Sequence, residues 1–142
     1  MTRLPNWPGL LDRFINDNRQ HPFAYGSFDC CLWVANCIEV MTEVDLAAGF
    51  RGRYESREEA VRIIEEITGH KSVRKAVEHV TKAHEMEPVE VLYLQRGDMA
   101  LVKRPRDYSL GIVALNGREV IVSAAGGLEW IPISSACAGW RV

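Results

Sequence analysis

The chain has 142 residues, of which 47% are hydrophobic, and its formal net charge at pH 7 is −2. This length and apolar content suit a single domain over residues 1–142. The small negative charge argues against a nucleic-acid partner, and no apolar run is long enough to cross a bilayer. No signal peptide is recognisable, so we expect the protein to stay in the cytoplasm or to leave by a route that reads no signal.

The first half of the chain is predicted to be helical. Apolar residues recur at helical spacing after Pro8, and the segment that begins at or just before Cys30 is apolar on most sides, as a central buried helix would be. Ser56 and Glu59 have the spacing of a capping box, and Gly69 stops the helix that follows. The predicted helices cover residues 7–18, 30–41, 57–68 and 72–84.

The second half is predicted to form strands. Its apolar segments are short and rich in β-branched or aliphatic residues, at 99–102, 110–115, 119–123 and 128–133. Asn116 and Gly117 predict a type I′ hairpin turn, and Gly126 with Gly127 marks the next turn. Helices followed by an antiparallel meander predict an α+β domain in which N-terminal helices pack on a C-terminal sheet.

The four cysteines do not have the spacing of a metal site. Cys30, Cys31 and Cys37 lie in one predicted helix and Cys137 is far away along the chain, whereas zinc ligands usually come in close pairs on turns. We therefore expect free thiols, with Cys37 and Cys137 as small buried hydrophobic residues. Neither a metal nor a cofactor is expected.

Residues 21–33 are the segment that bears most on function. A helix N-terminus carries partial positive charge and unpaired amides, so it favours the thiolate of Cys30. Asp29 can cap the helix, and Gly26 permits a close backbone approach beside the thiol. Because the helix end contributes only about 0.3 to 1 kcal/mol, we expect a nearly ordinary thiol pKa. The alternative is that Cys30 is a buried structural cysteine.

Four segments of the chain resemble the NlpC-type cell-wall peptidases, which are small papain-like enzymes. Residues 22–26 resemble the family's Pro-Tyr-Val-Trp-Gly segment, and residues 28–32 resemble its Phe-Asp-Cys-Ser-Gly-Leu segment. Residues 96–99 resemble the Pro-Gly-Asp-Leu that opens the family's first strand. Residues 110–113 resemble the strand of its His-Val-Gly-Ile-Tyr signature. The similarity covers roughly residues 20–42 and 95–142, with a helical insertion at about 43–86.

The resemblance implies a papain-like fold with Cys30 in the nucleophile position. It also implies a substrate cleft to which Phe23, Tyr25 and Asp29 contribute. The expected histidine position is occupied by Ser109, and the third polar position by Ser123. A serine hydroxyl cannot accept a thiol proton near neutral pH, so neither position can supply the family's general base.

A histidine from elsewhere in the chain is the remaining source of a base. The chain has His21, His70, His79 and His84. We interpret all four as surface or packing residues rather than displaced bases. An imidazole within hydrogen-bond reach of Cys30 would favour an active hydrolase.

Residues 23–31 and the ending Trp140-Arg141-Val142 also resemble small proteins of phage and prophage tail modules. This resemblance implies a virion tail-tip or tail-assembly component, built in the host cytoplasm, with other tail-tip proteins as partners and Trp140 and Arg141 at the interface. The alternative is an active cysteine peptidase or amidase that cleaves peptidoglycan during genome entry. A third hypothesis, a toxin or stress enzyme with a relocated histidine, has little support.

Overall fold

A computed structural model describes residues 1–142 as an α+β fold, in which four helices precede a five-stranded antiparallel sheet. The four predicted helices and the four predicted strands are all present. A fifth strand was not predicted, and two short 3₁₀ turns lie at Val91–Tyr93 and Ile133–Ser135. The elements are α1 Trp7–Asn18, α2 Cys30–Thr42, α3 Arg57–Thr68, α4 Val73–Ala83, β1 Met99–Lys103, β2 Tyr108–Val113, β3 Glu119–Ala124, β4 Gly127–Pro132 and β5 Ala136–Trp140.

Side-chain caps explain why the helices begin where they do. The Ser56 hydroxyl accepts a hydrogen bond from the Glu59 amide at the start of α3, and Ser72 caps α4 in the same way. The Glu59 carboxylate accepts from the Glu55 amide rather than from the Ser56 amide that a capping box would use. Gly69 ends α3 with φ of 77°.

The sheet has the strand order β4-β3-β2-β1-β5, so a four-stranded meander is followed by a strand that returns beside β1. Strands β2 and β3 pair at Ile112 with Ile121 and at Val113 with Val120. These two pairs lie at the C-terminal end of β2.

The turn between β2 and β3 differs from the type I′ turn that was predicted. Gly117 has φ of 70°, but Asn116 has a negative φ, and a type I′ turn requires positive values at both central residues. The Gly117 amide donates to the Ala114 carbonyl instead, which closes a turn centred on Leu115 and Asn116. Only the glycine therefore adopts the left-handed conformation.

The main core lies between α2 and one face of the sheet. Trp33 is fully buried, and its indole Nε1 donates to the Ile121 carbonyl at 3.0 Å, which fixes α2 against β3. The prediction that this helix is central and buried is confirmed. The opposite face of the sheet is covered by a smaller apolar cluster that includes Leu94 and Val113.

Trp140 and Arg141, which are predicted to lie at an interface, make structural contacts within the chain. Trp140 is 8% exposed and belongs to the main core. Arg141 donates to the fully buried Asp98 carboxylate, which also accepts from Arg3 at 2.8 Å and from the Gln95 amide. Trp140 therefore packs in the core, whereas the Arg141 side chain is paired with Asp98 but remains 32% exposed.

The remaining cysteines divide between core and surface. Cys37 is buried, as predicted, whereas Cys137 is exposed on the edge strand β5. The prediction for Cys137 is therefore wrong, because the strand that carries it was not recognised. No helix in the structure combines the length and apolar character needed to cross a membrane.

Candidate functional site

The candidate site is centred on Cys30, the first residue of α2, and its predicted position at the N-terminus of a buried helix packed on the sheet is confirmed. The preceding loop is compact, because Ala24 and Phe28 exchange two backbone hydrogen bonds of 3.1 and 2.8 Å. This pairing turns the loop back on itself and leaves the Cys30 side chain half-buried.

Asp29 organises the site and is itself 4% exposed. Its carboxylate accepts from the amides of Cys31 and Leu32, which caps α2, and from the Gly26 amide at 3.0 Å. It also accepts from the Tyr54 hydroxyl. Four donors occupy its lone pairs, so Asp29 has no free site at which to act as a base.

Tyr54 is a site residue that the sequence did not reveal. It lies in the segment between α2 and α3, and its hydroxyl reaches Asp29 across 25 positions of the chain. Burial raises the pKa of Tyr54, and the adjacent Asp29 carboxylate raises it further. The phenol therefore remains a hydrogen-bond donor throughout the accessible pH range.

The two adjacent thiols interact directly. The Sγ atoms of Cys30 and Cys31 are 3.9 Å apart. The contact with the Cys31 thiol lowers the pKa of Cys30, and the backbone of Leu110 lowers it as well, while burial raises it. The pKa of Cys31 is raised well above its usual value by this same interaction and by burial. The pKa of Cys30 is therefore lowered from that of an ordinary thiol.

The acidity of Cys30 is testable by alkylation. The thiolate is the form of cysteine that reacts with iodoacetamide. We therefore expect the pH profile of Cys30 carboxamidomethylation to have its midpoint below about 8.5, the pKa of an ordinary thiol. Cys31→Ala removes the contact with the Cys31 thiol and should move the midpoint upward. The measurement is the pH dependence of Cys30 modification by peptide mass spectrometry. An identical midpoint in the wild type and in Cys31→Ala would contradict this assignment.

The two serines at the expected polar positions do not meet at the thiol. Side chains alternate along β2, and Leu110 and Ile112 face the main core with α2, so Ser109 lies on the other face of the strand. The Leu110 amide, rather than the Ser109 hydroxyl, is therefore beside Cys30. The buried Ser123 hydroxyl donates to the Phe28 carbonyl at 3.0 Å and holds the loop that precedes α2.

No histidine is hydrogen-bonded to either thiol. The loop brings the His21 ring onto Phe28 with a centroid distance of 3.8 Å, but His21 Nδ1 lies 2.8 Å from the Pro22 carbonyl oxygen. The other three histidines are exposed on or beside the helices of residues 57–84. The hydrogen-bonding environment of Cys30 is thus a thiol and an amide, without an imidazole.

Aromatic residues of the loop form one side of the site. Phe23 and Tyr25 are in edge-to-face contact with centroids 4.8 Å apart. Tyr25 is exposed, and burial of part of its ring raises the pKa of its hydroxyl, while Arg57 lowers it and Cys30 raises it. Tyr25 therefore lies within the electrostatic influence of both Arg57 and Cys30.

An apolar cavity of about 70 Å³, lined in part by Cys31, lies between α2, α3 and α4. Fourteen of its 15 lining residues are hydrophobic, and Cys31 and Leu110 are among them. The Cys31 sulfur lies 3.9 Å from the Cys30 sulfur. No sequence pattern predicted this cavity, because its lining comes from separate elements.

No group of three or more His, Cys, Asp or Glu side chains converges as a metal-ligand set. No curated protein matches the chain. Residues 2–142 match a family described as a domain of unknown function, DUF6950. Because the match extends over nearly the whole chain, the protein belongs to the DUF6950 family.

Proposed function

We propose that the protein is a structural component of a phage tail tip, built on an NlpC-type, papain-like scaffold that has lost its hydrolytic site. The observation that supports the loss of hydrolysis is the environment of Cys30, whose sulfur lies 3.9 Å from the Cys31 sulfur and has no hydrogen bond to an imidazole or a carboxylate. A thiol in this environment has no base to take its proton and no acid for a leaving amine.

The nearby polar groups do not replace the missing imidazole. Asp29 is occupied by four donors, and Ser123 is bonded to the Phe28 carbonyl. Tyr54 is bonded to Asp29, with its pKa raised. Amide hydrolysis needs a group that both accepts and returns a proton, and none of these side chains is free to do so.

The resemblance of residues 23–31 and 140–142 to phage tail-module proteins supports the tail assignment. Other tail-tip proteins are then the partners, and assembly takes place in the host cytoplasm before the virion is released. A surface suited to such contacts is the turn Val91–Tyr93, where Leu92 is 91% and Tyr93 66% exposed. Large apolar side chains exposed together on one turn are typical of binding surfaces.

The test is genetic, in a phage or prophage that encodes the chain. Virions carrying Cys30→Ala are expected to assemble and infect normally, because no chemistry is lost. Leu92→Ser combined with Tyr93→Ser should lower the yield of infectious particles by about tenfold or more through loss of a subunit contact. The measurements are plaque yield, electron microscopy of tails and mass spectrometry of purified particles.

A control at an exposed site away from the turn, Lys82→Ser, should leave the yield unchanged. Absence of the protein from purified particles would reject the structural role. Loss of infectivity by Cys30→Ala with intact tails would instead show that the thiol is catalytic.

The second candidate is an active cysteine peptidase or amidase acting on peptidoglycan, and the lowered pKa of Cys30 is the observation that favours it. Purified protein incubated with peptidoglycan sacculi separates the two functions. We expect no more release of soluble muropeptides than from Cys30→Ala. Release that depends on Cys30 would establish the peptidase.

A further inference from the structure

We propose that the apolar cavity between α2, α3 and α4 binds a small uncharged apolar molecule of roughly three carbon atoms. This binding activity is independent of the structural role and needs no reaction at Cys30. The polarity of the cavity, the origin of its walls and its volume each point to a ligand of this class.

The hydroxyl groups that line the cavity already have partners within the chain. The Thr81 hydroxyl donates to the Glu78 carbonyl at 3.2 Å, and the Tyr54 hydroxyl donates to Asp29. The one buried side-chain nitrogen or oxygen without a partner is Arg3 Nε, and Arg3 does not line the cavity. A buried water molecule needs two to four polar partners, so the lining favours an apolar ligand over water or a polar one.

The cavity lies where two apolar clusters meet. Val77 and Leu110 belong to the main core, whereas Ala35 and Ala47 belong to a separate cluster that joins α2 to the segment before α3. Three buried alanines, one of them Ala76 in α4, line the cavity from three different parts of the chain, so its walls there are short side chains. An unfilled gap of this kind costs stability, and a bound apolar molecule would restore the missing contacts.

Helix α3 is the wall that is held most weakly. Ile63 is its only buried residue, and Ile64, which lines the cavity from this helix, is half-exposed. Phe50 and Val80 are further lining residues that are half-exposed. Segments with few buried apolar contacts open most readily, so we expect a ligand to enter on the α3 side.

The volume and polarity of the cavity determine which molecules it accepts. An apolar cavity of roughly 150 Å³ accommodates benzene, so about 70 Å³ suits roughly half as many carbon atoms. Propane should therefore fit, and benzene should be too large. Ethanol has the same number of heavy atoms as propane, but its hydroxyl would be buried without a partner, so it should be rejected.

The experiment follows the methyl groups of the purified full-length protein by NMR while propane pressure is raised. We expect saturable shifts of the lining methyls of Val77, Val80 and Leu110. The methyls of Val113 and Ile131, which pack on the opposite face of the sheet, serve as the reference and should not respond. Ethanol and benzene at equal concentration should produce no saturable shift of the lining methyls.

Variants that fill the cavity separate binding inside it from general contact with propane. Ala76 is buried and lines the cavity, so Ala76→Leu should abolish the saturable shifts, whereas Ala83→Leu at an exposed position of the same helix should retain them. If Ala76→Leu fails to fold by circular dichroism, Ala47→Leu fills the cavity from a second position and the exposed Ala48→Leu is its control.

Three results would overturn the proposal. They are the absence of saturable shifts in the wild type, ethanol shifts equal to those of propane, and propane shifts that persist in a folded variant with a filled cavity.

Discussion

Gly26→Ala is expected to lower the free energy of unfolding by about 3 kcal/mol or more. Gly26 has φ of 81°, and a Cβ atom added there would lie 1.9 Å from the Tyr54 carbonyl oxygen. The Tyr54 carbonyl oxygen belongs to the backbone, so it cannot move aside by a side-chain rotation. The displacement would also disturb the Tyr54 hydroxyl on Asp29, which caps the helix that carries Cys30.

Gly52, two residues before Tyr54, provides a matched control. Gly52 also has a positive φ, of 70°, but an added Cβ would meet no atom within 4 Å. Gly52→Ala should therefore cost only the left-handed conformation, about 1 to 2 kcal/mol. Urea denaturation followed by circular dichroism measures both variants. Equal losses in the two would show that the Tyr54 carbonyl does not restrict Gly26.

Asp98→Ala is expected to lower the free energy of unfolding by about 3 kcal/mol. The carboxylate is fully buried and pairs with Arg3 and Arg141, which lie near the two ends of the chain. Its removal leaves both guanidinium groups without a counter-charge and the Gln95 amide without an acceptor. The prediction does not depend on any function of the protein.

Glu129→Ala is the control for the loss of an acidic side chain. Glu129 pairs with Arg104 at 3.4 Å on the surface, where 49% of the Glu129 side chain and 36% of the Arg104 side chain are exposed. Exposed pairs contribute about 0 to 1 kcal/mol, so the unfolding midpoint should barely move. If thermal denaturation showed the same loss for Asp98→Ala as for Glu129→Ala, the buried cluster would not stabilise the chain ends.

The site combines a rigid framework with an incomplete catalytic set. Asp29 holds the loop, the helix start and Tyr54 together, and this framework keeps Cys30 in place. The groups that would move protons in a cysteine peptidase are not bonded to the thiol. The assembly role proposed above is compatible with a site in which Cys30 is held in place and no imidazole is bonded to its thiol.

The sequence by itself determined the helices and the position of Cys30. Those features depend on neighbouring residues: Asp29, Ser56 and Ser72 accept hydrogen bonds from amides two or three positions later, and Gly69 takes the left-handed conformation that ends a helix. Local side-chain chemistry of this kind can be read along the chain without knowledge of the fold.

Only the tertiary structure determines that β5 forms, on which face of β2 Ser109 lies, and which groups surround the Cys30 thiol. Residues 136–140 have no β-branched side chain and form a strand because β1 offers them backbone partners. The contacts of Leu110 with Cys30, and of Tyr54 with Asp29, join residues distant in sequence. No local pattern encodes such contacts, because they arise only when the helices pack against the sheet.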